Sequence, residues 1–197
     1  MTSAASEAGD RVADILQAAC RVVVRDGAHG LRMAAVAQEA GVSKALLHYY
    51  YATRQELLRA AFAFSGKRWN EAVQAELSRA PNVAARLEAY LFASVDSSEP
   101  YDTHRVLWNE VWSSLRVDTE LRPVVRDAYR AWVDRLASLI DEGRRDGSVP
   151  HDVAPREAGR RLAAIADGLD SMLFLGLVDR TRARRLLRES IERELAP

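Results

Sequence analysis

Two short apolar stripes joined by a glycine turn, within residues 33–50, constrain this chain more than any other feature. Met33, Val36, Ala37 and Ala40 recur at helical spacing and stop at Gly41. A third short helix is expected from about Lys44 to Tyr50. Short helix, tight turn, short helix is the helix-turn-helix pattern, and Gly41 suits its turn because a backbone without Cβ takes a positive φ freely. Any αα-hairpin shares this spacing, so the flanks matter. Upstream, Val12, Ile15, Leu16, Ala19, Val22 and Val23 line one helical face, with Asp10 as the expected cap and Asp26-Gly27 as the expected stop. Downstream, Thr53-Arg54-Gln55-Glu56 has the form of a capping box and opens a long helix to about Ser78.

The remainder also scans as helix. Breaks are expected near residues 97–102, 116–120, 147–155 and 178–180, and one stripe runs from Leu121 through Val125, Trp132 and Leu136 to Ile140. No alternating strand pattern and no internal repeat is visible. The expected fold class is all-α with about nine helices. Acidic and basic residues balance at 28 each, so any nucleic-acid surface must be local rather than a property of overall charge. Cys20 is the sole cysteine, which excludes an internal disulfide; among apolar neighbours it reads as a small buried hydrophobe. No apolar run approaches the length of a membrane span, and "MTSAASEAG" lacks the features of a signal peptide, so a cytoplasmic protein with no membrane partner is expected.

The tyrosine run sharpens the reading of the third helix. Leu47, Tyr50 and Tyr51 can turn inward against the first two helices, leaving Lys44, Ala45, His48 and Tyr49 on the opposite face. Ser43 can cap this helix. Such a face fits a DNA major groove, with polar side chains reaching base edges or phosphates. Ser43, Lys44, Ala45, His48 and Tyr49 are therefore the expected groove contacts, with Thr53 and Arg54 at flanking phosphates.

Together these residues, "LRMAAVAQEAGVSKALLHYYYATRQELL", resemble the N-terminal signature of the TetR family of bacterial transcription regulators. The match rests on Val36-Ala37, Ala40-Gly41-Val42-Ser43, Leu47, Tyr50, Tyr51, Arg54 and Leu57. Three positions depart from the family pattern: Arg32 at the usual threonine cap, Ala34 at a usual basic contact, and His48 in place of tyrosine. The resemblance implies a helix-turn-helix DNA-binding domain over 10–57 and a ligand-binding and dimerisation domain over 58–197. It further implies a homodimer on near-palindromic double-stranded operator DNA, and repression relieved by a small-molecule inducer, here expected to be hydrophobic or cationic.

The C-terminal two thirds resemble, less specifically, the regulatory domain of the BetI-like branch, whose namesake controls choline metabolism. Residues 165–177 and 183–195 resemble the family's pair of dimerisation helices. Trp69, Trp108, Trp112, Tyr129 and Phe174 are candidate ligand-binding aromatics, with ordinary core packing as the competing reading. Trp108 and Trp112 fall on one helix face with Glu110 between them, and aromatic faces beside a carboxylate can hold an organic cation; Glu110 as a plain surface acid competes. His29, His48, His104 and His151 share no metal-ligand spacing, and no catalytic motif or phosphate loop appears, so no enzyme activity, metal or cofactor is expected. The rival from a different class is a helical small-molecule carrier with decayed DNA binding, at which Arg32 and Ala34 hint.

Overall fold

Several helices of the computed structural model start or stop where a side chain or a glycine turn meets their backbone ends. The structure describes residues 2–115 and 119–196, with side chains from Gly9 onward. Among the described residues nine α-helices follow in order: α1 (Thr2–Gly30), α2 (Met33–Glu39), α3 (Lys44–Tyr50), α4 (Arg54–Leu77), α5 (Val83–Phe92), α6 (Tyr101–Ser114), α7 (Arg122–Asp146), α8 (Pro155–Phe174) and α9 (Arg180–Leu195). No strand occurs among the described residues. The expected break at 116–120 lies partly outside them; its described part opens a single 3-10 turn, Thr119–Leu121, ahead of α7.

The chain packs as two compact units. Met1–Trp69 joins Thr103–Val125 in the first, and Asn70–Asp102 joins Arg126–Pro197 in the second. In the first unit, Ile15, Ala19, Val22 and Val23 of α1 are buried with Val36, Ala37, Leu47, Leu57 and Leu58. Cys20 is buried and its thiol donates to the Ala61 carbonyl at 3.6 Å, as a small core residue does. Arg21 and Arg25 both reach the Glu39 carboxylate, at 2.7 and 3.0 Å, and tie α1 to α2 across their exposed sides. In the second unit α9 packs along α8 and α5, with Leu162, Ala166, Leu169, Ala183, Leu187 and Ile191 buried.

Two details of α1 differ from the sequence reading in opposite ways. Asp10 is an interior helical residue and caps nothing, because the helix already runs from Thr2. The stop at Asp26-Gly27 is real: Gly27 takes φ 75° and ψ 167°, breaking the helix ahead of its last turn. At the end of α2, Gly41 has φ 65°, and the amides of Gly41 and Val42 return to the carbonyls of Gln38 and Ala37 at 3.2 and 2.9 Å. That double bond is the Schellman closure, which only a residue at ease in the left-handed region makes cheaply.

α4 opens as its sequence pattern requires, with one shift. Thr53 Oγ1 accepts from the Glu56 amide at 3.1 Å, while the Glu56 carboxylate reaches back one residue further than usual, to the Ala52 amide at 2.9 Å. Ser43, Asn82 and Asp179 cap α3, α5 and α9 with side-chain oxygens. Arg32 precedes α2 without any side-chain cap, as its long cationic side chain dictates.

Burial separates the three tyrosines. Tyr51 is 8% exposed, Tyr49 is 80% exposed, and Tyr50 is half-buried with its ring edge-on to Tyr49 at 5.2 Å. Tyr51→Ala should therefore cost about 3–5 kcal/mol of stability, and Tyr50→Ala distinctly less, as read from urea denaturation midpoints at equal slope.

Candidate functional site

The exposed face of α3 follows from its helical period. Leu47 points inward and is fully buried, so Lys44, Ala45, His48 and Tyr49 are left to solvent. Ser43 Oγ accepts from the Leu46 amide at 3.1 Å, which leaves its own hydroxyl proton free to donate. Thr53 is exposed, with its oxygen committed to the α4 cap. The structure thus gathers six of the seven expected DNA contacts on exposed surface at α3 and its flanks.

Arg54 is the exception. Its guanidinium turns back to the end of α1, where Nε donates to the Leu31 carbonyl at 2.9 Å and Nη2 donates to the Ala28 carbonyl. Beyond the break at Gly27, the Ala28 carbonyl keeps a single turn bond, from the Leu31 amide at 3.3 Å, and the Leu31 carbonyl lies just past the helix end, so both have a lone pair for the guanidinium; a fixed positive charge there also suits the helix dipole. In the structure Arg54 therefore serves the backbone of α1 rather than standing out as a flanking cation.

Glu110 likewise has another partner than the one expected. It lies half-buried on α6, where its carboxylate accepts from the Ala28 amide at 2.7 Å. A Cβ at Gly27 would come within 3.1 Å of the same carboxylate oxygen. Trp108 and Trp112 do stack on one face, with centroids 6.2 Å apart and an interplanar angle of 26°. Residues two apart on a helix diverge by about 200°, so Glu110 leaves the other side of α6.

The tryptophan face belongs to an aromatic cluster. Phe62 lies 5.6 Å from Trp108 and 5.8 Å from His104, and Trp69 lies 5.9 Å from His104. Phe62 and Trp69 are buried, and Trp112 at the outer end is 55% exposed. Ser65 Oγ donates to the Phe62 carbonyl at 2.9 Å and meets His104 Nδ1 at 2.9 Å. With the hydroxyl proton already spent, His104 must donate from Nδ1, and its Nε2 is left as an acceptor. Burial holds His104 neutral, with its pKa down to about 4. Sequence reasoning passed over His104 and Ser65, although His104, Trp108 and Trp112 share a four-residue spacing that marks one face of α6.

Tyr129 and Phe174 belong to the second unit and have separate surroundings. The Tyr129 ring packs edge-on against Trp132 at 5.7 Å, and its hydroxyl donates to Asp167 at 2.8 Å. Phe174 is 80% exposed and shares the end of α8 with Leu175 and Leu177, which are 67% and 66% exposed. Phe174 thus stands on open surface rather than enclosing a cavity. A cavity of about 370 Å³ in the same unit is lined by Glu76, Glu88, Phe92, Asp96, Tyr101 and Arg184 with three alanines, and by none of the expected ligand residues.

A Schellman-closed helix pair, presenting a solvent-facing polar helix from a buried Leu47 and Tyr51, defines a DNA-binding transcription regulator. The chain belongs to the TetR family: residues 15–61 match the model of the tetR family of bacterial regulatory proteins, and residues 81–196 match that of the C-terminal region of BetI-type transcriptional repressors. The HTH-type transcriptional regulator BetI of Escherichia coli K12 is 28% identical over 185 residues, covering 92% of each chain. A TetR-family transcriptional regulator from Rhodococcus sp. superposes with a TM-score of 0.84 at 25% identity, over 95% of this chain and all of that one. A transcriptional regulator from Saccharomonospora viridis, solved in complex with choline, superposes with a TM-score of 0.82 at 28% identity, over 95% and 96% of the two chains. The protein is a regulator of transcription, not an enzyme.

The neutral His104 makes the first unit acid-sensitive. Its folded pKa of about 4 lies below the ordinary 6.5, so the unfolded chain takes up a proton that the folded chain resists. Stability from this residue is complete above about pH 6.5 and is lost as pH falls toward 4. His104→Gln should flatten that part of the stability profile, measured by urea denaturation between pH 7 and 4.5, while carboxylate contributions stay in both proteins.

Proposed function

We propose that the chain is a homodimeric repressor whose two α3 helices read a near-palindromic double-stranded operator and which a small organic cation releases. The observation that carries the DNA reading is the exposure of Lys44, Ala45, His48 and Tyr49 on one face of a helix whose other face is buried. Ser43 and Thr53 border that face and supply hydroxyls toward phosphates. DNA binding is assigned to 10–57 and ligand binding with dimerisation to 58–197, in the cytoplasm. Packing into compact units follows contacts rather than roles, so it does not speak to that functional division.

The ligand reading rests on the aromatic cluster of Phe62, Trp69, Trp108 and Trp112. Its π faces attract a cation without needing the Glu110 charge, and the free lone pair at His104 Nε2 can accept from a ligand hydroxyl. A hydroxylated quaternary ammonium combines both features, and choline is what the Saccharomonospora viridis relative holds. Release needs only that the ligand prefer a dimer whose recognition helices are wrongly spaced.

Dimerisation is assigned to residues 165–177 and 183–195, on α8 with the turn after it and on α9. Met172, Phe174, Leu175 and Leu177 leave a run of apolar surface there that water covers poorly.

Fluorescence anisotropy on duplex DNA from around the protein's own gene tests the DNA reading. Lys44→Ala should weaken binding and reduce the log–log salt slope by about 0.9, the value for one lost phosphate contact. Tyr49→Ala should weaken binding with the slope intact. Unaltered affinity in both variants, or no binding by the unaltered chain, returns the protein to the carrier reading. The dimer has its own check in sedimentation: Phe174→Asp with Leu177→Asp should yield monomers that have lost operator binding. Quenching of tryptophan fluorescence by choline, absent in Trp108→Leu, tests the ligand class.

A further inference from the structure

The end of α1 is held by two charged side chains from distant parts of the sequence. Ala28 is 1% exposed, Leu31 is fully buried, and the helix has just broken at Gly27. Such backbone groups cannot turn to water, and leaving them unpaired costs more than forming the bonds gains. Glu110, 82 residues along the chain, takes the Ala28 amide at 2.7 Å. Arg54, 26 residues along, takes the Ala28 carbonyl, and its Nε takes the Leu31 carbonyl at 2.9 Å. The anion and the cation thus hold the two peptide groups that flank the Ala28 Cα, one from each side.

This clamp has one end at the recognition helix. Arg54 is the first residue of α4, and only Tyr51, Ala52 and Thr53 separate it from α3. The other end is α6, whose opposite face carries Trp108 and Trp112. Gly27 makes the contact possible: at φ 75° a side chain would be strained, and its Cβ would stand 3.1 Å from the Glu110 oxygen. α2 and α3 have only seven residues each, and Arg32 gives α2 no side-chain cap, so contacts from outside the pair add to what holds it.

We propose that Glu110 is a positioning residue for operator binding: through the Ala28 peptide groups it and Arg54 fix the start of α4, and with it the angle at which α3 meets the groove. Neither side chain touches DNA. The inference rests on the operator-binding reading above.

The experiment measures operator affinity, salt slope, melting temperature and exchange of the Ala28 amide in the full-length dimer. Glu110→Ala should free that amide to exchange and weaken operator binding roughly tenfold, a typical coupling for a residue remote from the ligand. Glu110→Gln, whose amide oxygen still accepts the N–H, should stay within about threefold of the unaltered chain. Gly27→Ala should copy Glu110→Ala by pushing the carboxylate away. The log–log salt slope should be unchanged in Glu110→Ala and in Arg54→Ala, because no phosphate contact is lost.

Wild-type operator affinity in Glu110→Ala, with the Ala28 amide exchanging freely, overturns the assignment. So does a slope reduced by about 0.9 in Arg54→Ala, which would put that guanidinium on a phosphate. Should Glu110→Ala fail to fold, Glu110→Asp withdraws the carboxylate by one methylene and must show the loss instead; full affinity there is equally fatal. Absence of DNA binding in the unaltered chain would instead overturn the operator reading itself, and is seen before any variant is made.

Discussion

A helix that breaks inside a core must hand its backbone polar groups to something else. In the first unit that demand arises at Gly27, and it reorganises the residues around it. Ala28 and Leu31 at the end of α1 are buried, so water is no remedy for them, and the chain brings in a carboxylate from α6 and a guanidinium from α4. The same rule operates at milder sites: Gly41 closes α2 on itself, and Ser43, Asn82 and Asp179 each satisfy one amide at a helix start. Helix ends engage Arg54 and Glu110, while the helical period decides which side chains of α3 are exposed.

That accounting changes the roles of two charged residues. A cation at the start of α4 beside a recognition helix reads as a phosphate contact, and an acid between two tryptophans reads as the counter-charge of a cationic ligand. Both readings treat the side chain as unemployed. Once Arg54 and Glu110 are committed to Ala28 and Leu31, what remains exposed at α3 is its polar face with hydroxyl flanks, and what remains beside the tryptophans is aromatic rings and a neutral histidine. An uncharged aromatic site holding a cation still gains attraction from the ring quadrupoles, and avoids the desolvation cost of burying a carboxylate.

The aromatic cluster also shows how one helix can serve two ends. His104, Trp108 and Trp112 recur every four residues and keep one face of α6 toward Phe62 and Trp69 of α4. Glu110 leaves the opposite face toward the end of α1. A rigid helix engaged on both faces passes displacement from one to the other, whereas a helix with a solvated back would absorb it in side-chain motion.

Sequence alone determined the helical architecture, the turn at Gly41, the break at Gly27, the caps at Ser43 and Thr53, and the contrast between a buried Tyr51 and an exposed Tyr49, while Tyr50, expected to turn inward with Tyr51, is only half-buried. All of these follow from local rules: apolar period, the conformational range of glycine, and hydrogen bonds spanning three or four residues. The family signature lies in the same local pattern, which is why residues 31–58 suffice to carry it. Asp10 misled because a good cap residue is also tolerated inside a helix, so its presence does not oblige a start. What the tertiary structure alone decided are pairings across long separations: Glu110 with Ala28, His104 with Ser65, Tyr129 with Asp167, and the exposure of Phe174. Composition and periodicity place a residue on a face of its own helix, but the backbone group or side chain that face meets is chosen by how the helices pack.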